Sequence, residues 1–283
     1  MKIIDAHMHF WRDGTSAETL AAEMERLGIE AFVAMGTGRR GGDDRGFRPG
    51  VPDEPGSVPA SRFFHCVGVA GDSGEGDEAA LAEFERRVRD PRCVGIKIYL
   101  GYQPHYAYDR CYRPFYELAR RYDLPVVFHT GDTAGGHGLV KYAHPLTIDE
   151  TAAAFPDVRF VMAHCGNPWI VDAVEVAAKN GNVFIDLSGL AVGGFDPAWF
   201  LDHYRGYVEH LKTWMTYLSD YGKFLYGTDW PLTDMGAYLE MMRRIVPEEH
   251  HDAVFHDNAR RVFSRLERAP RLFDDDAEIP DVG

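Results

Sequence analysis

The sequence predicts a (β/α)8 barrel built as one domain, and three observations carry that expectation. Eight strand-length apolar runs recur about every 30 residues, and seven are followed by a helical pattern or, once, by a long loop. The length, 283 residues, suits such a barrel. Unusual polar residues fall at the C-terminal ends of five of the strands, where barrels of this kind assemble their sites. A doubly wound open sheet also alternates strand and helix, but no Gly-rich phosphate-binding turn follows the first strand here.

The first strand ends in Asp5-Ala-His7-Met-His9. Period-two alternation would set Ile3, Asp5, His7 and His9 on one face and Ile4, Ala6 and Met8 on the other. With 13 histidines in the chain, chance supplies roughly 0.6 His-x-His pairs, so this pair gains weight only from the rest of the chain. Ser16 is the expected cap of a helix over 17–27, which Gly28 ends. Residues 29–35 form the second strand. The stretch 36–62 shows neither period. It is rich in Gly, Pro, Asp and Arg, carries Arg39, Arg40, Arg45 and Arg48, and is expected to reach over the site as a long loop.

Strands are expected at 63–70, 93–100, 125–129, 158–164, 183–187 and 224–227. Helices are expected at 77–89, 113–122 with Pro114 in the first turn, 147–155 capped near Thr147, and 170–179 stopped by Gly181. Further helices are expected at 197–221, 235–246 and 248–266. The domain is drawn as 1–270, with 271–283 an acidic tail.

A composition of 45% apolar and 26% charged residues is that of a soluble globular protein. The net charge of −14 argues against non-specific binding to nucleic acid or an anionic membrane. The four cysteines are scattered without a CxxC pair, which points to reduced thiols in a cytoplasm-like compartment. No signal peptide or membrane-length apolar run is expected. A homo-oligomer is compatible with all of this.

His7, His9, Lys97, His129, His164 and Asp229 sit at or near equivalent strand ends. Parity on the fourth strand would send Val94, Ile96 and Ile98 outward and Cys93, Gly95, Lys97 and Tyr99 inward. Parity on the fifth pairs Val127 with His129, and on the sixth would turn Phe160, Met162 and His164 inward together. A single buried histidine is ordinarily a satisfied core residue; four, with a lysine and a carboxylate at five strand ends, read as a metal site. Asp186, near the end of the seventh strand, is open between a supporting partner and a cap. Trp11, Tyr99, Trp169 and Trp230 are candidates to contact substrate, beside Tyr102, His105, Tyr106 and His137.

The segments Ile4-Asp-Ala-His-Met-His9, Val94-Gly-Ile-Lys-Ile98, Leu124-Pro-Val-Val-Phe-His-Thr-Gly131, Phe160-Val-Met-Ala-His-Cys-Gly166, Leu225-Tyr-Gly-Thr-Asp-Trp-Pro231 and Asp257-Asn-Ala-Arg-Arg261 resemble the amidohydrolase superfamily. Within it they resemble the amidohydrolase-2 branch related to aminocarboxymuconate-semialdehyde decarboxylase. The resemblance implies a distorted TIM barrel with a divalent metal, zinc being expected, and one ion rather than two. It implies His7, His9, His129 and Asp229 as ligands, with His164 as acid–base or an added ligand. Lys97 matches a position that is carboxylated and bridges two ions in some members and is no ligand in others.

Three functions are carried forward. The first is a hydrolase that activates water against the ester, lactone or amide carbonyl of a small, carboxylate-bearing substrate, with Asp229 and His164 handling protons. The second is a nonoxidative decarboxylase or hydratase of an aromatic or unsaturated acid. The third is a barrel that binds metal or ligand without catalysis, which the complete ligand set disfavours.

Overall fold

Alternate residues of eight short parallel strands divide the interior into two apolar layers, and that division positions everything at the strand ends. The computed structural model describes residues 2–9, 17–36, 62–70 and 78–268. Trp11, Ser16, residues 37–61 of the Gly/Arg stretch, and the acidic tail lie outside the described residues. The strands are β1 (Ile3–Met8), β2 (Ile29–Met35), β3 (Phe63–Gly68), β4 (Cys93–Ile98), β5 (Val126–Phe128), β6 (Phe160–Met162), β7 (Val183–Asp186) and β8 (Phe224–Leu225). They pair in sequence order, each parallel to the next. Three backbone bonds close the seam between the last and first strands: Ala6 N to Tyr226 O at 2.9 Å, Asp229 N to His7 O at 2.8 Å and His9 N to Trp230 O at 2.7 Å. This is the (β/α)8 barrel that the sequence predicts.

Helices α1 (Ala17–Leu27), α2 (Glu78–Val88), α3 (Arg113–Tyr122), α4 (Thr147–Ala154), α5 (Ile170–Lys179), α6 (Pro197–His203), α7 (Arg205–Leu218) and α8 (Met235–Ile245) follow in order. Pro114 sits in the first turn of α3 as expected. Other boundaries moved. The helix expected at 197–221 breaks at Tyr204 into α6 and α7. The stretch 248–266 is not one helix: it runs through short turns into α9 (Asn258–Val262) and α10 (Arg265–Arg268). Helix α4 has no side-chain cap, because the Thr147 hydroxyl turns back to the His144 carbonyl. Helix α5 ends at Asn180 in extended backbone, so Gly181 is not its stop.

One buried cluster draws on every strand, including Ile4, Val33, Val94, Val127, Val161 and Leu225, and on none of α1–α8. It is the barrel interior. Ala259, Val262, Phe263 and Leu266, from the last two helices and the link between them, complete it. The other cluster joins the outward strand residues, such as Phe32, Ile96 and Phe160, to α1–α8.

Simple alternation fails at three strands. In β1, Ile4 and Ala6 face inward but Met8 joins the outer layer, because the β1–β2 ladder shifts between Asp5 and Met8. In β4, Val94 is inside and Cys93 outside, the reverse of expectation; a shift between His65 and Cys66 leaves Val94 as an extra residue. Beyond it Ile96 and Ile98 do point outward. In β6, Phe160 and Met162 pack outward against helices, so His164 does not reach the interior by parity with them. No helix among the described residues is long and apolar enough to cross a membrane.

Candidate metal centre

The shifted ladder at the end of β1 places His7 and His9 beside Asp229, which follows β8. The Nε2 of His9 lies 3.1 Å from Asp229 Oδ1 and the Nε2 of His7 lies 3.6 Å from the same oxygen. One donor atom from each of the three residues falls within a 4.8 Å span. Two ligands held at about 2.1 Å from a tetrahedral ion are about 3.4 Å apart, so these separations fit a zinc-sized ion.

His7 is fixed from behind. Its Nδ1 pairs with Asp186 Oδ2, in a contact that is buried on both sides. A carboxylate accepts, so Nδ1 carries the hydrogen and Nε2 presents its lone pair toward Asp229. His7 Nε2 is buried and has no hydrogen bond among the described residues, which a metal ligand would explain. Asp186 is therefore a supporting partner of His7. Its Oδ1 also accepts from Ser188 N at 2.8 Å. Ser188 in turn meets His164 Nδ1 through its hydroxyl at 3.1 Å and its carbonyl at 3.2 Å.

His164 enters the site by a backbone kink. It and Cys165 both lie in the left-handed region, with φ of 60° and 52°, directly after β6. That conformation costs L-residues about 1–2 kcal/mol each and persists only where surrounding contacts impose it. The turned ring lies 4.9 Å, centre to centre, from His7 and equally far from His129. His129 Nε2 donates to the Asp132 carbonyl at 2.9 Å, and its ring is flanked by Tyr102 at 4.9 Å and Tyr99 at 6.5 Å. Lys97 is fully buried. Its Nζ lies 5.1 Å from the centre of the Tyr99 ring and has no hydrogen bond among the described residues.

Burial sets the charge states. It pushes His164 down to about 4 and holds His7 and His129 well below the usual imidazole value, with Lys97 adding to each effect. It lowers Lys97 to about 8 against the pull of Asp186 and Asp229. Burial would raise Asp229, but the bond from His9 and the nearby His164 and His7 rings hold its carboxyl well below the usual range. The site thus combines neutral His7, His129 and His164 with an ionised Asp229, as metal binding requires of imidazole and carboxylate ligands.

Two glycines leave room for this packing. A Cβ at Gly189 would lie 2.8 Å from His164 Nδ1, and one at Gly227 would lie 2.7 Å from His7 Cβ. The structure gathers His7, His9 and Asp229 in one group and places His129, His164 and Lys97 around it. The Trp169 ring lies tilted against His144, 4.7 Å between centres, and Trp230 anchors backbone to the end of β1. Ser188, Gly189 and Thr228 were not anticipated. Their signal was only proximity to Asp186 and Asp229 at the ends of β7 and β8.

A family model described as amidohydrolase matches residues 4–265. No curated protein matches. Among solved structures, an uncharacterised TIM-barrel protein from Bordetella bronchiseptica has a TM-score of 0.66 at 20% identity, covering 95% of this chain and 100% of its own. An amidohydrolase from Burkholderia multivorans with bound zinc has a TM-score of 0.63 at 18% identity, covering 93% and 99%. A 2,6-dihydroxybenzoate decarboxylase from Rhizobium has a TM-score of 0.60 at 15% identity, again covering 93% and 99%. At these identities the likeness is one of fold.

Proposed function

The chain belongs to the amidohydrolase family, and we propose that it is a metal-dependent hydrolase of a small, carboxylate-bearing ester, lactone or amide. One observation carries this reading: His7, His9 and Asp229 present donor atoms at the spacing of ligands around one ion, with Asp186 fixing the tautomer of His7. His7, His9 and Asp229 would hold a single divalent ion, zinc by the nitrogen-rich donor set, with His129 as the fourth protein ligand. When bound, such an ion polarises a carbonyl and lowers the pKa of water from 15.7 to about 7.

The chain's own residues do the rest. Ionised Asp229 takes a proton from the attacking water. Neutral His164, with Nδ1 engaged by Ser188, would accept that proton at Nε2 from Asp229 and pass it to the leaving group. In the one-ion reading Lys97, fully buried beside the site, would remain an amine and would not be a ligand. Tyr99, Trp169, Trp230 and Trp11 are the proposed substrate contacts, with Tyr102 added by its place against His129.

A second reading is favoured by that aromatic wall. Tyr99 and Tyr102 flank His129 and offer faces on which a planar acid can stack. The chemistry would then be nonoxidative decarboxylation, with His164 delivering a proton to the carbon that loses carbon dioxide, or hydration of an unsaturated acid.

Elemental analysis of purified protein should find about one transition-metal equivalent, lost in His7→Ala and Asp229→Asn. Full activity after chelation would overturn the reading. A panel of esters and lactones assayed beside carbon dioxide release from aromatic carboxylic acids separates the two chemistries, and a metal-loaded protein inert on both would leave a binding barrel.

A further inference from the structure

Asp229 holds its carboxylate toward His7 and His9 from a left-handed backbone, with φ of 67°. It is not a glycine, so the conformation must be imposed by its neighbours. Thr228, before it, is tied to a buried carboxylate, and Trp230, after it, is tied to Thr228. Asp5 Oδ1 accepts from Thr228 N at 3.0 Å, and Oδ2 accepts from the Thr228 hydroxyl at 2.6 Å. The same hydroxyl accepts from Trp230 N at 3.0 Å. The Thr228 carbonyl accepts from the Thr233 hydroxyl at 2.9 Å, and Asp229 N donates to His7 O at 2.8 Å. Asp5 Oδ1 also accepts from His7 N at 3.2 Å. One carboxylate thus grips the backbone of β1 at His7 and the backbone just before Asp229.

Asp5 is 1% exposed and Thr228 is fully buried. A carboxylate is expensive in such a place, and a residue that only filled the strand would be apolar. The pair reaches the main-chain N–H groups of His7, Thr228 and Trp230, so these bonds act on the donor atoms through the main chain.

We propose that Asp5 and Thr228 form a positioning clamp that holds Asp229 in its left-handed conformation and sets its carboxylate against His7 and His9. The clamp rests on the reading that Asp229 is a metal ligand, and it assigns a purpose to the Asp of Asp5-Ala-His-Met-His9. The Thr228 hydroxyl is its centre, because it is at once donor to Asp5 and acceptor from Trp230.

The test compares Thr228→Val, which keeps shape and loses the hydroxyl, with Thr228→Ser, which keeps the hydroxyl. Asp5→Asn is the second variant should the valine protein fail to fold, which circular dichroism reports. Zinc affinity is measured by competition with a chromogenic chelator, and the metal-free Thr228→Val protein is crystallised. Partners behind metal ligands typically affect affinity by about 10–100-fold. The expected result is such a loss in Thr228→Val and Asp5→Asn, wild-type affinity within about threefold in Thr228→Ser, and an Asp229 that leaves the left-handed region in the valine crystal. Equal losses in the valine and serine proteins, or unchanged affinity in all three, overturn the clamp. An Asp229 φ still near its present value in the valine crystal overturns it too, whatever the zinc result. A wild-type protein that takes up no zinc overturns the metal reading instead, and the crystal still decides the clamp.

Discussion

A methyl group at position 189 would sit 2.8 Å from His164 Nδ1 and 3.0 Å from Asp229 Oδ2, on a backbone with φ of 65°. Both facts work against any side chain there, and neither neighbour can retreat: His164 is held by Ser188, and Asp229 by the strands on either side. Gly189→Ala is therefore expected to weaken zinc binding by about tenfold and to cost about 1–2 kcal/mol of stability. Gly194→Ala, where a Cβ meets nothing within 4 Å, should do neither. Chelator competition and urea unfolding on the two variants check this, and equal behaviour would show that the glycine's emptiness is not needed. At this scale the sequence was legible for the residues that carry chemistry and opaque for those that make space. Histidines and carboxylates stand out at strand ends because they are rare in apolar runs. A glycine such as Gly189 announces nothing until a ring is found where its side chain would be.

Among the elements, strand and helix positions were readable because apolar periods of two and 3.6 survive in the sequence, and β2, α1, α3 and α5 fall at their expected bounds. What misled was the assumption that the period of two is unbroken. A ladder shift moves a whole face by one residue, and shifts in β1 and β4 decide where Met8 and Val94 point. The turn of His164 comes from two left-handed residues after β6, and nothing in Met162-Ala-His-Cys-Gly166 other than its glycine advertises such a turn. The C-terminal stretch carries the pattern of an ordinary helix, yet its residues close the barrel interior. Phe263, 1% exposed, packs in that interior and approaches the inner face of β4 at Gly95. Phe263→Ala should cost about 3–5 kcal/mol through the cavity it leaves. Because the metal group lies at the other end of the strands, zinc stoichiometry should stay at the wild-type value in the protein that remains folded. Chemical denaturation together with elemental analysis measures both, and loss of zinc from folded variant would show that the plug and the site are coupled.

For the molecule as a whole, the buried titratable groups make stability a function of pH. His7, His65, His129 and His164 are all held below the usual imidazole value, chiefly by burial, with His65 and His164 at about 4. Their unfolded counterparts bind protons as pH falls through about 6.5, and the folded chain does not follow until far lower. Each therefore contributes stability that is present above 6.5 and lost as the pH falls toward the folded value. Asp5 and Asp186 act oppositely. Burial raises them to about 7 and about 6, so they keep protons in the fold that the unfolded chain has released, and acid favours them. Near pH 5.5 the four imidazoles outweigh the two carboxyls by about two protons, and the metal-free protein should lose roughly 3 kcal/mol between pH 7 and 5.5. Bound metal would raise stability across this range without steepening the loss, because the folded imidazoles that hold it already carry no proton there. His65 is the control, because it lies on β3 toward the opposite end of the barrel and bonds Arg92 O through its backbone N. His65→Gln should cut the slope near pH 5.5 by nearly half while leaving zinc uptake unchanged. Urea titrations of chelated protein across this range decide it: a flat or rising stability toward acid would mean that these rings are not buried neutral, and that the protonation states assigned to the metal group are wrong.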